Sequence, residues 1–230
     1  MQELNFKFVC KVINSTMENI SIQQEVAQHL LEVKAIQLRP NQPFKWASGW
    51  NSPIYCDNRI SLSYPKTRTY IKNALSAAVK GYFPEVEIIA GVATAGIAQG
   101  ALVSDYLDLP FCYVRPEPKK HGMGNQIEGK IEKGQKVVLI EDLISTGGSS
   151  LKAAEALIEA GAEVLGMVAI FSYGFEIADQ NFKSKNIPFF TLSNYDVLIE
   201  EAVKLNYVTE PQLVTLQDWR VNPSEWRKEI

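Results

Sequence analysis

Residues 137–150 read V-V-L-I-E-D-L-I-S-T-G-G-S-S, and no other stretch constrains the fold as tightly. Four consecutive apolar residues leading into two adjacent carboxylates describe a strand buried on both faces. That is the habit of parallel sheets covered by helices. The turn after it is small and polar, and the run L-K-A-A-E-A-L-I-E-A that follows favours a helix. A strand ending in an acidic pair and a small-residue loop, at a helix start, is suited to hold a phosphorylated sugar. Backbone N–H groups of the loop and of the helix N-terminus would point at the phosphate. The two carboxylates can accept hydrogen bonds from ribose hydroxyls or help to hold a metal ion.

The surrounding chain alternates in the same way. Strand-like 86–92 precedes helix-like G-I-A-Q-G-A-L-V-S-D-Y-L; strand-like 110–115 and a polar loop precede the strand 136–142 and the helix 149–160. The strand 164–171, a helix near 175–185, the strand 188–192 and a helix from about Asn194 complete this part. Continuous apolar strands separated by amphipathic helices predict an α/β fold, a central parallel sheet flanked by helices. Ligands of such sheets bind beyond the carboxyl ends of the strands. Towards the N-terminus, S-I-Q-Q from Ser21 reads as a capping box, with an apolar stripe Ile22, Val26, Leu30 and Val33 behind it. Residues 44–60 suit a hairpin, and Pro65 opens a helix carrying Ile71, Leu75, Ala78 and Val79. The expected organisation is an N-terminal extension 1–16, a small N-terminal hood 17–62, an α/β core 63–208, and a helical tail 209–230 packed onto the surface. Residues 1–16 read either as an additional short helix or as an upstream extension before the second methionine, Met17.

At 230 residues there is room for one full α/β domain with a smaller lobe. Net charge is −3, so no global basic surface suggests nucleic acid as a partner, and an anionic substrate must meet a local cluster of cations. The cysteines Cys10, Cys56 and Cys112 are widely spaced and form no CxxC, which fits reduced thiols in the cytoplasm rather than disulfides or a structural zinc site. No apolar run approaches membrane-spanning length, and the N-terminus lacks the order of a signal peptide.

Three further stretches carry chemistry, each with a plain alternative. The loop 115–126, R-P-E-P-K-K-H-G-M-G-N-Q, is either a solvated surface loop or a lid. As a lid, Arg115, Lys119, Lys120 and His121 would close over a polyphosphate and neutralise departing charge. The segment G-V-A-T-A-G-I, 91–97, is a plain strand-to-helix turn or a second anion loop. Glu141 and Asp142 point to opposite faces of their strand, so one can be structural while the other meets ligand. Arg59 is a surface ion-pair partner or a ligand for a substrate anion. The aromatic residues Phe44, Trp46, Trp50 and Tyr55 read as packing rather than as a stack for a nucleobase.

Segment 137–149 resembles the phosphoribosyl-pyrophosphate (PRPP) motif of type I phosphoribosyltransferases, and within them the chain is similar to orotate phosphoribosyltransferases. F-K-W-A-S-G-W-N-S-P-I-Y-C-D-N-R, G-V-A-T-A-G-I and R-P-E-P-K-K-H-G-M-G match in order and spacing, over about residues 20 to 205. The resemblance implies transfer of ribose 5-phosphate from PRPP to orotate, with Mg²⁺ held mainly by PRPP and water and Asp142 as the one candidate protein ligand. It implies that Glu141 and Asp142 meet the ribose hydroxyls and that Ser145, Thr146, Gly147, Gly148 and Ser149 cradle the 5′-phosphate. Ala93, Thr94, Ala95 and Gly96 would form the pyrophosphate loop. Arg115, Lys119, Lys120 and His121 would also meet PRPP, with Arg115, Lys119, His121 and Asp142 as the catalytic set. Ser48, Gly49, Arg59, Thr146 and Tyr173 would surround orotate. The family's mobile loop reaches the partner subunit's site, which implies a homodimer.

Three departures stand out: Ala47 and Ala95 occupy positions where many members carry lysine, and Ser172-Tyr173 stands where the strand commonly ends in Asp-Arg. Arg59 is then a candidate to supply part of the missing charge. The competing readings are a phosphoribosyltransferase for another base and a PRPP-sensing regulator of the same fold.

Overall fold

The computed structural model describes residues 17–46, 49–117 and 126–227, residues 17–21 by backbone alone. The chain opens with α1 (Met17–Glu32), then β1 (Ile36–Leu38), β2 (Phe44–Lys45), β3 (Asn51–Ser52), β4 (Ile54–Cys56) and a 3₁₀ turn over Asn58–Ser63. α2 (Pro65–Tyr82), β5 (Ile88–Val92), α3 (Gly96–Leu107), β6 (Phe111–Val114) and β7 (Ile127–Glu128) follow. Next are β8 (Lys136–Ile144), α4 (Gly148–Glu159), β9 (Glu163–Ser172), α5 (Glu176–Ser184), β10 (Phe189–Asn194), α6 (Tyr195–Lys204) and α7 (Glu210–Val221). Among the described residues no helix is long and apolar enough to cross a membrane.

The central sheet runs β10-β9-β8-β5-β6-β7, parallel throughout except for the antiparallel β6–β7 pair at its edge. Period-two alternation sends Val138 and Ile140 of β8 into one core with Leu75, Ile71 and Leu30, while Val137 and Leu139 enter a second core with Leu151, Ala154 and Leu157. Both faces are covered, which is why the strands read as unbroken apolar runs. The strand order reverses between β5 and β8, so this is the switch point where a parallel sheet opens a crevice. β5 pairs with β8 only as far as Gly91 opposite Ile140, whereas β9 follows β8 to Ile144. Glu141 and Asp142 therefore lie inside β8, at the point where its neighbour on one side has ended. The expected strand end fell two residues short because one flank of β8 keeps pairing.

Several expectations hold. Pro65 stands at the start of α2, and the Asn194 side chain accepts from Val197 N at 3.1 Å to cap α6. Others are corrected. α1 begins at Met17 rather than at Ser21; Met17 to Ile20 contain no glycine or proline, so nothing stops the helix from extending through the cap-like motif. The hairpin is split: β2 pairs with β3, but β4 crosses to β1, with Pro53 between β3 and β4. α1 also packs on α6 and β10, with Gln28 Nε2 donating to Glu201 Oε2 at 2.8 Å and Ser193 Oγ donating to the Gln23 carbonyl at 2.9 Å.

The tail is not a surface appendage. Trp219 is fully buried, edge-on to Trp46 (5.6 Å between centroids) and against Tyr173, Phe175 and Tyr195. An aromatic cluster of this kind is worth more buried than spread on a surface, and α7 is drawn into the core by it. Trp219→Ala should cost about 3–5 kcal/mol. Val221→Ser, on a side chain 86 % exposed in the same helix, should stay within about 0.5 kcal/mol. Urea unfolding of both variants checks the contrast; equal losses would return the tail to the surface.

Candidate active site

The site is assembled around the switch point. After β5 the chain turns through residues 93–95, where the Ala93–Thr94 peptide is cis, and starts α3 at Gly96. A Cβ at Gly96 would overlap the Ile140 carbonyl oxygen, so only glycine lets this turn lie against β8. The turn is thus brought beside the acidic pair. On the other flank the turn after β8 leads into α4, with Gly147 at φ +79°. A Cβ there would stand 2.6 Å from the Phe182 ring, so Gly147 is required twice over. Thr146, Gly148 and Ser149 are exposed, and the Thr146 carbonyl is held by Asn181 Nδ2 at 2.9 Å. The first N–H groups of α4 lack intrahelical acceptors and face outward with the helix dipole behind them.

The acidic pair divides its labour as strand geometry requires. Glu141 is 5 % exposed; it accepts from Ser150 Oγ at 2.9 Å and from Asp142 N at 3.0 Å. Burial, and then the Asp142 charge, push its carboxyl well above the usual carboxylate range. Asp142 is half-buried, and burial raises it too, opposed by the Arg59 charge. Of the two, Asp142 is the carboxylate turned towards the open end.

Arg59 lies in the 3₁₀ turn and grips Asp57, with Nε to Oδ1 at 2.7 Å and Nη2 to Oδ2 at 2.9 Å. This clamp holds the Asp57 carboxyl below its ordinary value. The guanidinium is still 57 % exposed, so both readings of Arg59, ion pair and anion ligand, survive in one side chain. Beneath it Cys56 is pushed well up by burial and by Asp142 and Asp57, which makes it a poor nucleophile.

Tyr173, expected beside orotate, has its ring buried between Trp46 (5.3 Å) and Phe175 (5.5 Å), where a large ring gains from the aromatic core. Burial pushes its phenol well up, and the Cys56 and Asp142 charges add to that. Its carbonyl accepts from Arg220 Nε at 3.3 Å. The packing expected of the other aromatic residues is found: Trp46 Nε1 donates to the Ile54 carbonyl at 3.1 Å, and Phe44 lies on Tyr55. Gly49 takes φ +86° in the hairpin turn, while Ala47 and Ser48 lie outside the described residues. So do Lys119, Lys120 and His121. The base of their loop is described: Arg115 N donates to the Gln126 carbonyl at 2.9 Å, and Gln126 Nε2 donates to the Arg115 carbonyl at 2.8 Å.

Two cations escaped the sequence reading. A cleft of ≈ 390 Å³ is lined by Ala93, Arg115, Gln126, Gly148, Ser149 and Lys152, so Lys152 borders the same cleft as the turn after β5. Its spacing of three and four residues from Ser149 and Gly148 was the available signal. Arg220 reaches the end of β9, where Nη2 donates to the Gly174 carbonyl at 2.8 Å, and lines a second cleft with Trp50 and Thr146. Nothing local in the sequence links it to that point. Among the described residues no group of three acidic, histidine or cysteine side chains could hold a metal ion by itself.

A phosphoribosyl transferase domain model matches residues 65–196. The chain belongs to the phosphoribosyltransferase family. It is 62% identical over 205 residues to an orotate phosphoribosyltransferase of Cytophaga hutchinsonii, covering 89% of this chain and 98% of that one. An orotate phosphoribosyltransferase of Listeria innocua is 57% identical over 209 residues, 91% of this chain and all (100%) of its own. Among solved structures, this phosphoribosyltransferase resembles the orotate phosphoribosyltransferase of Aeropyrum pernix, with TM-score 0.70 and 27% identity over 80% of this chain and 99% of that one.

A carboxyl whose pKa is raised by folding takes up a proton on folding, so stability falls as pH climbs from the ordinary carboxylate value through the raised one. Glu141 and its neighbour titrate as a pair in that sense. Glu141→Gln should therefore gain stability relative to the parent as pH rises from about 5 to about 8. Chemical denaturation at several pH values checks this, and a pH-independent difference would refute it.

Proposed function

We propose that this chain is an orotate phosphoribosyltransferase, transferring ribose 5-phosphate from PRPP to orotate with release of pyrophosphate, in pyrimidine biosynthesis. The observation that carries the reading is the placement of Asp142 and the 145–149 turn across the switch point from the 93–96 turn. A pentose bearing a phosphate at one end and a diphosphate at the other matches two anion-sized turns flanking one carboxylate.

Breaking the C1′–O bond builds positive charge on the ribose and negative charge on the leaving diphosphate, while the orotate nitrogen forms the new bond to C1′. Orotate is an anion at neutral pH, so the chain needs orientation and charge stabilisation more than a covalent partner. In this reading the α4 N-terminus and the 145–149 turn hold the 5′-phosphate, and Asp142 orients the ribose hydroxyls. The 93–96 turn, Arg115 and Lys152 face the diphosphate. Lys119 and His121, with Lys120 beside them, complete the charge when the loop closes. Mg²⁺ fits as a hard cation held by substrate oxygens and water, with Asp142 as the protein's oxygen donor, and when bound it would screen the diphosphate charge. The loop of a second copy covers the site in a homodimer, and the reduced thiols suit a cytoplasmic enzyme.

The test is loss of orotate absorbance with PRPP and Mg²⁺, beside hypoxanthine and uracil. Turnover of orotate alone is expected; turnover of hypoxanthine or uracil in its place would assign another base, and turnover of none would leave a PRPP-binding regulator.

Arg59 is an exposed cation in the hood turn and supplies part of the charge that a lysine at position 47 would bring. Arg59→Ala should raise the orotate KM about tenfold, a charge-assisted hydrogen bond's worth, and change the PRPP KM less. An unchanged orotate KM would leave Arg59 as a surface ion pair only.

A further inference from the structure

The segment Asp57-Asn58-Arg59 contains a residue that the functional reading does not use. Asn58 is fully buried in the 3₁₀ turn, and its Nδ2 donates to the Asp142 carbonyl at 2.7 Å across 84 residues of sequence. Past Ile140, β8 has lost β5 as a partner, so two residues further on the strand takes this hydrogen bond from the hood's turn instead of from a neighbouring strand. Asn58 is itself fixed from behind. Its carbonyl accepts from Ser61 Oγ at 2.6 Å, and Gln99 Nε2 of α3 reaches Ser61 Oγ at 3.4 Å. The chain Gln99–Ser61–Asn58–Asp142 joins α3, the hood and the ligand-facing strand through buried atoms.

The arrangement is costly for stability. Asn58 Oδ1 and Gln99 Oε1 are buried without a protein partner among the described residues. An unsatisfied buried acceptor costs about 1–3 kcal/mol, and an apolar side chain of similar volume would remove the Asn58 orphan only by taking the donor away from the Asp142 carbonyl. An amide kept at such a point is better explained by what its donor does than by what it adds to the core. The donor bonds the backbone of the one carboxylate that faces the open end.

We propose that Asn58 is a positioning residue for Asp142, locking the end of β8 so that the carboxylate meets the ribose of PRPP. The inference rests on the phosphoribosyltransferase reading of this site, and it assigns the hood a part in holding the sugar as well as the base. Asn58 touches no substrate; it acts through Asp142.

A double-mutant cycle tests it. Asn58→Ala should lower kcat/KM for PRPP about tenfold in the parent enzyme, with a smaller change in orotate KM, and lower it less than about twofold when Asp142→Asn is already present. A residue that merely supported the fold would reduce both backgrounds by the same factor, and that result overturns the proposal. Calorimetric binding of PRPP with Mg²⁺ and no base repeats the cycle independently of orotate. Parent enzyme that binds PRPP but ignores orotate would sink the base assignment, whereas equal losses in the two backgrounds would sink Asn58 alone. Should Asn58→Ala fail to fold by circular dichroism, Asn58→Ser carries the same cycle: its hydroxyl is too short to reach Asp142, and the same coupling is required of it.

Discussion

The contact on which the rest depends is the approach of the α3 start to β8, with Gly96 lying against the Ile140 carbonyl oxygen. A side chain at Gly96 would lift the turn 93–96 off the sheet. That turn and the acidic pair would then no longer border one crevice, and the switch point would lack one of its two walls. Parallel pairing of β5 with β8 sets the depth of the crevice, because β5 stops opposite Ile140 while β8 runs on to Ile144 with β9. The four residues beyond Ile140 keep β9 on one side and have on the other no strand but the hood's 3₁₀ turn, whose Asn58 meets Asp142. Glu141 turns inward to Ser150 and Asp142 outward, so a single strand supplies a buried brace and a half-exposed carboxylate.

Charge is managed locally in a chain whose net charge is −3. Glu141 is burdened by burial and by its neighbour, and Ser150 and the Asp142 amide compensate only part of this. A cation or hydroxyl donors brought to Asp142 would relieve the same repulsion. Among the described residues the cations come from four separate places: Arg59 in the hood turn, Arg115 at the loop base, Lys152 on α4 and Arg220 on α7. None replaces the lysines missing at Ala47 and Ala95 by position, and Arg59 and Arg115 already lean on carboxylates, Asp57 and Glu128. The field they make is distributed, as suits a substrate carrying charge at both ends.

The sheet was legible because its signals are local. Unbroken apolar runs gave β8 and β9, Pro65 gave the start of α2, and Asn194 the start of α6. The motif 141–149 was legible for the same reason, since its strand, turn and helix are contiguous. What escaped depends on distant partners. The Ser21 cap could not reveal that α1 continues back to Met17, and a buried Trp219 is invisible without Trp46, 173 residues earlier, to receive it. Lys152 is the single lysine of α4, one turn in, and the sequence does not say that its side chain turns back towards the cleft beside Arg115. The packing of Tyr173 was not legible because strand register does not name the rings around a strand end; four of them, Trp46, Phe171, Phe175 and Trp219, surround it.

The hood is held by long-range hydrogen bonds to the C-terminal segment and to β8. Arg227 Nη1 donates to the Pro40 carbonyl at 2.9 Å, and Asn51 Nδ2 donates to the Arg227 carbonyl at 2.6 Å. Arg220 bonds the Gly174 carbonyl just after β9, and Asn58 bonds Asp142. Those contacts span between 46 and 187 residues, so each requires loops of the chain to be closed before it can form. The sheet's own β5–β8 pairing is also long-range, and the core beneath it takes Leu30 from the hood and Trp219 from the tail. Sheet, hood and tail therefore bury one another, and the long-range hydrogen bonds fix how the hood's turn meets β8 rather than whether the core forms.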